Sequence, residues 1–291
     1  MNHDSYDDAD LSAVSKYVLS LLIRHQVIAA DEKISAVGIR VVAPSKRFAT
    51  DQLADDSAIA ALENVQLRAP LHVGTVLAEI RHLKESFTDT PVIIISDSAF
   101  HSTKPEWAWH YGIDTEIADK FDIKRYGFHG VSVGSVVRNL QQANMLAPKT
   151  IVCHLGSGSS ITAVVDGKSV ETTMGYTPLE GLMMETRVGN IDPSAVVAIK
   201  RELHLEDNAV EEYLNKKCGL IGVSGSTNDV RQLLAKEEQG DARAKLALKM
   251  FVYRIQMAIG QMAASMGGAD QLVFTATVGE RSAPIRERVL E

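Results

Sequence analysis

Ile151-Val152-Cys153-His154-Leu155-Gly156-Ser157-Gly158-Ser159-Ser160, near the middle of the 291-residue chain, is the run that best indicates the fold. It begins as a buried strand end and continues into a turn rich in glycine and hydroxyl groups. A second apolar run, 161–165, leads into Asp166-Gly167, a sequence typical of tight β-hairpin turns. The pattern predicts three successive strands, joined first by a Gly/Ser turn and then by a tight turn.

The Gly/Ser turn, residues 155–160, has two interpretations. Glycines at 156 and 158 allow backbone N–H groups to approach a ligand closely, and the serines add hydroxyl donors. Closely spaced N–H groups bind anions such as phosphate. Gly and Ser are also common in ordinary hairpin turns for conformational reasons alone. Taken by itself, the turn favours the ordinary hairpin.

The segment from Met174 to Pro193 changes that balance. It reads MGYTPLEGLMMETRVGNIDP, follows neither helical nor strand periodicity, and carries one arginine, Arg187, among apolar and small residues. This run resembles the second signature of the acetate/propionate/butyrate kinases, in the sugar-kinase, actin and Hsp70 superfamily. The resemblance covers nearly the whole chain, because several separate motifs occur in the same order.

Composition agrees with a soluble enzyme. The chain is 45% hydrophobic and 23% charged, as in ordinary globular proteins. Its net charge of −7 gives no footprint for nucleic acid or an anionic membrane, and no apolar run approaches a membrane span. Cys153 and Cys218 form no metal-binding spacing and no disulfide framework, which favours a reducing cytoplasm. Neither a nucleic acid nor a membrane is therefore expected as a partner.

The resemblance implies an α/β, two-domain fold of the sugar-kinase/actin/Hsp70 (ribonuclease H-like) type, with a cleft between the domains. We expect an acyl-substrate-side domain over residues 1–98 and a nucleotide-binding and dimerisation domain over residues 99–291. The family opens with a strand and an Asn-x-Gly-Ser-Ser-Ser phosphate loop, and closes with segments that complete its metal site. Neither segment is found in this sequence. We therefore expect the first domain to be incomplete and the second to lack its final segment.

Three positions in the first part of the chain match the substrate side of the family. Arg40, in Gly-Ile-Arg-Val-Val, matches the arginine that binds the substrate carboxylate, and a guanidinium fork suits that task. Leu71 would line the acyl pocket. Asp97 follows the apolar strand 91–96 at its carboxyl end, where ligands gather in open α/β sheets, and matches the catalytic aspartate. The simpler alternatives are a surface ion pair for Arg40, a core position for Leu71 and a cap for Asp97.

The motif Arg-Tyr-Gly-Phe-His-Gly at 125–130 is short but characteristic of the family. His129 matches a histidine that hydrogen-bonds the phosphoryl group in transfer, which is useful when the imidazole is preorganised. A lone histidine is more often a core or surface residue, but its neighbours here favour function. The resemblance thus implies catalytic residues Asp97, His129 and Arg187, and substrate-binding residues Arg40, Val42, Leu71, Phe128 and Pro178.

Two later segments resemble nucleotide loops of the family. Residues 222–231, Gly-Val-Ser-Gly-Ser-Thr-Asn-Asp-Val-Arg, match the loop beside adenosine, although Asp229 can equally cap the helix that follows. Residues 275–281, Thr-Ala-Thr-Val-Gly-Glu-Arg, are expected to form a turn and a helix start after a strand, and Arg281 is a candidate to reach a phosphate. The implied nucleotide-binding residues are His154, Leu155, Gly156, Ser157, Gly158, Asp229, Val230, Arg231, Thr277, Val278, Gly279, Glu280 and Arg281.

The remaining expectations concern helices and strand pairing. Helices are predicted from Asp10, from Asp192-Pro193 to Leu203, over 209–215 and over 242–266. The last should be heavily buried and, by resemblance, contribute to a homodimer interface. Strands 34–42 and 91–96 should share one sheet, and strands 151–154, 161–165 and 272–275 another. Asp97 and His129 should face the interdomain cleft with Arg40 and Arg187.

Three functions are consistent with these patterns. The first is an acetate kinase-type phosphotransferase that converts ATP and acetate or propionate to ADP and acyl phosphate by in-line transfer, with Mg²⁺ as cofactor. The second is a non-catalytic fragment or remnant that retains weak nucleotide binding. The third is another enzyme of the superfamily with a different phosphoryl donor, which the motif set disfavours. We favour the first, and we expect little activity from the chain as given because the metal-linked segments are missing.

Overall fold

The computed structural model describes residues 11–29, 32–66 and 70–291, with side chains from 17–29, 32–66 and 73–291. The chain divides between Ala99 and Phe100 into two compact units, an N-terminal unit and a C-terminal unit. The predicted cap Asp10 and the side chain of Leu71 lie outside the described residues. No helix in the described ranges is long and apolar enough to cross a membrane.

The N-terminal unit contains a three-stranded sheet in the order β1-β3-β2. Its strands are β1 (Val37–Val41), β2 (Gln52–Leu53) and β3 (Val92–Ser96). β1 and β3 are parallel, whereas β2 and β3 are antiparallel. The prediction that the two apolar strands share one sheet is confirmed. The strand predicted from Ile34 begins only at Val37, because pairing with β3 starts at Val37 opposite Val92.

Helices cover this sheet and supply its core. They are α1 (Leu11–Arg24), α2 (Asp56–Gln66) and α3 (Pro70–Ser86), with a 3-10 helix at Lys46–Phe48. The predicted first helix exists, and its residue Val18 is 46% exposed. The core packs β1 and β3 against the apolar faces of α2 and α3, at Ile39, Val41, Ile94, Leu62, Leu77 and Ile80.

The C-terminal unit contains a four-stranded sheet in the order β6-β5-β4-β7. Its strands are β4 (Lys149–Leu155), β5 (Ser159–Val165), β6 (Lys168–Thr172) and β7 (Gln271–Thr275). β4, β5 and β6 form an antiparallel meander, and β7 adds parallel to β4. The predicted second sheet and both hairpins are confirmed. Asp166 and Gly167 both have positive φ, 49° and 79°, as a type I′ turn requires.

Helices of different lengths accompany this sheet. They are α4 (Glu106–Trp109), α5 (Thr115–Lys120), α6 (Gly130–Gln142), α7 (Pro193–Glu202), α8 (Asp207–Lys216), α9 (Gly219–Ser224), α10 (Val230–Glu238), α11 (Ala242–Met266), α12 (Ala276–Arg281) and α13 (Ala283–Leu290), with a 3-10 helix at Ala99–Thr103. The helices predicted at Pro193, over 209–215 and over 242–266 are confirmed. Asp192 caps α7 through a bond from the backbone N–H of Ser194 to its side chain.

The long helix α11 is less buried than predicted. Leu248, Phe251 and Ile255 are at most 1% exposed and pack in the main core with β4 and β5. Leu246, Tyr253 and Met257, however, are 51%, 55% and 49% exposed. Their spacing of seven and four residues places them on one stripe of the helix, so α11 carries an apolar face toward the core and another toward solvent.

Two local predictions after β6 need correction. The loop predicted at 222–231 begins inside α9, which ends at Ser224 with Gly225 in the left-handed conformation. The turn predicted after β7 is absent, because α12 begins directly at Ala276. Ala276 has a φ of 66°, and its N–H donates to the carboxylate of Glu280, so the direction of the chain changes within one residue.

Candidate active site

Arg40 and Asp97 form a bidentate ion pair in the N-terminal unit. Nε and one terminal nitrogen of Arg40 donate to the two carboxylate oxygens of Asp97 at 2.9 and 2.8 Å. The parallel register brings them together, since Arg40 lies opposite Ile95 and Asp97 follows β3 immediately. The Asp97 side chain is 1% exposed and that of Arg40 is 55% exposed. The hydrogen bond to Asp97 raises the pKa of Arg40 further above its ordinary value.

This geometry orients the guanidinium toward solvent. Two of its five N–H donors are used on Asp97, so the exposed edge still presents N–H groups to a ligand. The sequence offered an ion pair and a binding role for Arg40 as alternatives, and one guanidinium can serve both. The carboxylate of Asp97 holds the guanidinium of Arg40 in one orientation, and the binding role of Arg40 stays a prediction.

His129 is held at the entrance to α6 by its backbone and by its ring. Its φ of 61° is left-handed, a conformation that costs a non-glycine residue about 1–3 kcal/mol and is concentrated at functional sites. Its Nδ1 lies 3.0 Å from the hydroxyl of Ser160. The ring stacks on that of His154 with centroids 4.0 Å apart, and His154 is itself bonded to Ser132 at 2.9 Å.

Gly158 is the point where His129 and Arg187 come together. A Cβ atom placed on Gly158 would lie 3.1 Å from Nε2 of His129 and 3.2 Å from a terminal nitrogen of Arg187. A side chain at this position would make His129 or Arg187 shift by a few tenths of an ångström, so glycine favours the close approach. The Gly/Ser turn, the histidine and the arginine therefore form one cluster in the C-terminal unit.

Arg187 is positioned by the irregular segment 174–193. One terminal nitrogen donates to the carbonyl of Pro178 at 3.3 Å, and its own carbonyl accepts from the N–H of Met184 at 3.0 Å. The segment is closed by Asn190, whose side chain and N–H both bond to Gly181. Gly189, with a φ of 72°, lies where a Cβ would be 2.4 Å from a backbone oxygen. These backbone contacts explain why the sequence shows no periodicity here.

The hydroxyls of the Gly/Ser turn have different roles. Ser159 and Ser160 are fully buried, and they bond to the carbonyl of Gly156 and to the ring of His129. Ser157 is exposed at the tip of the turn. Only Ser157 therefore offers an exposed hydroxyl, whereas the other two shape the turn and the histidine.

A pocket of about 720 Å³ lies on the same unit, between α10 and α12. Asp229 caps α10 and pairs with Arg231, whose hydrogen bond lowers the pKa of Asp229 to about 2. The cap that the sequence offered as the simpler reading is confirmed, and the same residue also faces the pocket. Six predicted nucleotide residues line this pocket, namely Asp229, Val230, Arg231, Thr277, Val278 and Arg281.

Three polar residues of this pocket, Glu185, Asn228 and Ser282, were missed by sequence reasoning. Glu185 and Asn228 both line it, and the amide nitrogen of Asn228 donates to the Glu185 carboxylate at 3.3 Å. Burial, with a further contribution from Asp229, raises the pKa of Glu185. The available signal was one acidic residue two positions before Arg187 in a run of apolar and small residues.

Most of the other predicted residues are buried or half-buried, whereas Glu280 is exposed. Phe128 is fully buried, and its carbonyl bonds to His101. Pro178 is buried, and Val42 is half-buried. Gly279 is buried inside α12, whereas Glu280 bonds to Thr275 and Ala276 at its start. Their roles toward a ligand, and the shared cleft for Arg40, Asp97, His129 and Arg187, remain predictions.

The described residues do not by themselves form a metal centre. Within those ranges there is no group of three or more His, Cys, Asp or Glu side chains that could hold a metal ion. The carboxylate of Asp97 is bonded on both oxygens by Arg40. The described residues therefore do not fit a magnesium site made by protein ligands alone.

Solved structures of similar chains define the class of this protein. The acetate kinase of Porphyromonas gingivalis has a TM-score of 0.87 at 34% identity, covering 98% of this chain and 72% of that one. A propionate kinase from Francisella tularensis has a TM-score of 0.89 at 35% identity, covering 98% and 73%. With its two α/β units, the fold is that of the sugar-kinase, actin and Hsp70 superfamily, and the chain is a phosphotransferase.

Sequence relatives narrow that class to a family. The acetate kinase of Clostridium botulinum (strain Okra / Type B1) is 41% identical over 278 residues, which is 94% of this chain and 70% of that protein. That of Bacillus cytotoxicus is 41% identical over 285 residues, 97% of this chain and 72% of that protein. The model of the Acetokinase family matches residues 2–291. The chain belongs to the acetokinase family.

Proposed function

We propose that this protein transfers a phosphoryl group between ATP and acetate, or another short carboxylate such as propionate, to give ADP and an acyl phosphate. The observation that carries the proposal is the cluster at Gly158, where His129 and Arg187 meet the Gly/Ser turn. Phosphoryl transfer needs little covalent chemistry from a protein and depends on positioning and on stabilisation of negative charge. A histidine, an arginine and a Gly/Ser turn that exposes the hydroxyl of Ser157 provide those functions.

The proposed roles follow from the chemistry of each side chain. Arg40 binds the substrate carboxylate on its exposed edge, and Asp97 orients Arg40. His129 and Arg187 stabilise the equatorial oxygens of the transferring phosphoryl group, while the Gly/Ser turn binds the other phosphates. Val42, Leu71, Phe128 and Pro178 form the wall around the acyl group, which distinguishes acetate from propionate only weakly because one methylene contributes about 1–3 kcal/mol.

The nucleoside is proposed to occupy the pocket lined by Asp229, Arg231, Thr277 and Arg281. Glu185 connects the pocket to the Gly/Ser turn, because the backbone N–H of Glu185 lies 3.4 Å from the carbonyl of Ser157. A nucleoside there would direct its phosphates toward the Gly/Ser turn. In this arrangement the Gly/Ser turn and the start of α12 contact the nucleotide. Four other predicted residues would stabilise these two segments without contacting the ligand: His154, Leu155, Gly279 and Glu280.

Magnesium is proposed to enter with the nucleotide. Mg²⁺ generally keeps several waters and is bound by substrate phosphates with one or two carboxylates. That mode needs no cage of protein ligands, and none is found in the described ranges. The roles proposed above rely on this chain's own residues and on no metal-dependent step.

A homodimer in the cytoplasm is also proposed. The exposed stripe of Leu246, Tyr253 and Met257 on α11 is an apolar surface of the kind that a second copy covers. ATP and short carboxylates are cytoplasmic metabolites, and Cys153 and Cys218 are both free thiols. Sedimentation equilibrium on the chain and on Tyr253→Glu tests the dimer, since a charge on this stripe should shift it to monomer.

The activity is tested by a coupled assay for acetate-dependent ADP formation with magnesium present. The chain as given is expected to show little turnover, and that turnover should be abolished in Arg187→Ala and retained in Arg201→Ala, where the substituted arginine is exposed on α7. Equal turnover in both variants would contradict the assignment of Arg187.

A nucleotide-binding chain without turnover is the second candidate. The observation behind it is the pocket of about 720 Å³ beside Asp229, which could hold a nucleoside whether or not phosphoryl transfer follows. Saturable ADP binding with no acetate-dependent ADP formation would support this candidate over the first.

A further inference from the structure

Glu185 lies between the two halves of the proposed nucleotide site. Its N–H lies 3.4 Å from the carbonyl of Ser157 at the tip of the Gly/Ser turn. Its side chain lines the pocket with Asn228 and Thr277. A nucleotide whose nucleoside fills the pocket and whose phosphates reach the turn must therefore pass beside the Glu185 side chain.

The backbone keeps Glu185 in that position. Its carbonyl accepts from the N–H of Ile221 in α9 at 3.0 Å, next to the bond between Leu220 and the carbonyl of Met184. One carboxylate oxygen accepts from Asn228 at 3.3 Å. Moving the main chain would break the backbone bonds to Ser157 and Ile221, and moving the side chain would break the bond to Asn228.

The charges around Glu185 do not neutralise it. Arg187 extends to Gly158, and Arg231 is paired with Asp229. Arg281, from α12, lines the pocket, but within the described ranges Glu185 forms no ion pair. The nearest charge that acts on its pKa is Asp229, and both that charge and burial favour the protonated form.

We propose that Glu185 couples nucleotide binding to proton uptake. When a phosphate chain lies beside the ionised carboxylate, Glu185 takes one proton from solvent onto that carboxylate. The physical reason is that a second negative charge at close range disfavours ionisation. The proposal rests on the nucleotide site proposed above and adds to it a residue that sets the pH dependence of affinity.

Linkage fixes the sign of the effect. If bound phosphates raise the pKa of Glu185, then a proton on Glu185 must raise the affinity for the nucleotide by the same factor. Affinity should therefore be highest at acid pH and fall as pH rises through the pKa of Glu185. The fall is about tenfold for each pKa unit by which the nucleotide raises that value.

The test is isothermal titration with ADP, without metal, from about pH 5.5 to about pH 8, a range above the ordinary glutamate value. Titrations run in two buffers of different ionisation enthalpy, so that proton uptake is counted directly. The variant is Glu185→Gln, which keeps the oxygen that accepts from Asn228. The matched control is Glu211→Gln, because Glu211 is also half-buried with a pKa raised by burial but lies on α8, away from the pocket.

We expect Glu185→Gln to bind ADP about tenfold more tightly than the unmodified chain at about pH 8, and to take up fewer protons on binding. Glu211→Gln should match the unmodified chain. The phosphate groups of ADP also titrate in this range, but that contribution is common to all three proteins. Adenosine, which has no phosphate, should bind all three with no difference between them.

Three results would overturn the inference. Weaker ADP binding by Glu185→Gln would mean that the carboxylate accepts hydrogen bonds from the nucleoside. Identical pH profiles with and without Glu185 would mean that it does not titrate on binding. The titrations are then repeated with Mg²⁺, and a loss of affinity in Glu185→Gln that occurs only with Mg²⁺ would make Glu185 a metal ligand. If no protein binds ADP saturably, the nucleotide site itself is wrong and this inference fails with it.

Discussion

The two arginines proposed to act on the acyl and phosphoryl groups are held in different ways. Arg40 of the N-terminal unit is fixed by one side chain, the buried carboxylate of Asp97, through two charge-assisted bonds. Arg187 of the C-terminal unit lies in a segment closed by backbone bonds, with Pro178 and Met184 as partners. An arginine side chain can thus be held in place either by one ionic partner or by the conformation of the backbone segment that carries it.

The difference matters for how each site responds to mutation. An arginine held by one carboxylate loses its orientation when that carboxylate is removed, while the surrounding backbone stays in place. An arginine held by the chain itself is insensitive to any one side chain but depends on residues that permit the unusual backbone. Glycines such as Gly189 should therefore be as important for Arg187 as Asp97 is for Arg40.

The largest effect is expected for Gly189→Ala. The new Cβ would meet the carbonyl of Leu182 at 2.4 Å in a residue with a φ of 72°, so the segment carrying Arg187 must move. We expect a loss of at least about 2 kcal/mol in the free energy of unfolding and near-complete loss of turnover. Denaturant unfolding and the coupled assay measure the two effects.

Gly240→Ala is the matched control. Gly240 has a φ of 89°, but a Cβ there meets nothing within 4 Å. Gly240→Ala should lower the free energy of unfolding by about 1 kcal/mol through backbone strain alone, and it should leave turnover unchanged. If both variants behave alike, backbone closure does not hold Arg187.

A smaller but selective effect is expected for Asp97→Ala. The guanidinium of Arg40 loses both bonds, so we expect kcat/KM for acetate to fall about 100-fold, mostly through KM, with ADP affinity unchanged. Stability should fall by about 1–3 kcal/mol, because Asp97 is buried whereas Arg40 is half-exposed. Steady-state kinetics with acetate varied, and ADP titration, separate the two effects.

Glu63→Ala is the control for that variant, since it removes the carboxylate partner of the exposed Arg81. Exposed ion pairs contribute about 0–1 kcal/mol, so stability and kinetics should hardly change. A fall in ADP affinity for Asp97→Ala would contradict the separation of acyl and nucleotide roles.

Gly158→Ala should affect the C-terminal cluster without unfolding it. Its Cβ would lie 3.1–3.2 Å from His129 and Arg187, so one side chain must shift by a few tenths of an ångström. We expect kcat to fall about 10- to 100-fold with little change in stability. Gly156→Ala, where the nearest atom is 3.4 Å away, should be several-fold milder, and equal losses would show that the approach to His129 and Arg187 is not the cause.

The smallest effect is expected for Ser160→Ala. It removes the hydroxyl that lies 3.0 Å from Nδ1 of His129, while the stack on His154 remains. One neutral hydrogen bond contributes about 1 kcal/mol, so kcat should fall about fivefold. Stopped-flow or steady-state rates detect this change, and a loss as large as that for Arg187→Ala would mean that Ser160 has a direct role in the chemistry.

Much of the fold was predictable from local patterns. The apolar run at 91–96, the Asp-Gly turn and the cap at Asp192 each indicate their structure through neighbours in sequence, and each is confirmed. The exposed stripe on α11 was not predictable in this way. Periodicity shows that both faces of the helix are apolar, but only packing decides which face the core covers.

The candidate site, like the fold, combines features that local sequence predicts with features that only packing decides. The sequence by itself determined which residue types stand at strand ends and in the irregular segment, and its motifs indicated the family. The tertiary structure decided that His129 stacks on His154, that Gly158 separates His129 from Arg187, and that Glu185 lines the pocket with Asp229. These relations join residues that are far apart in the chain, so they depend on strand register and loop closure, which no local pattern encodes.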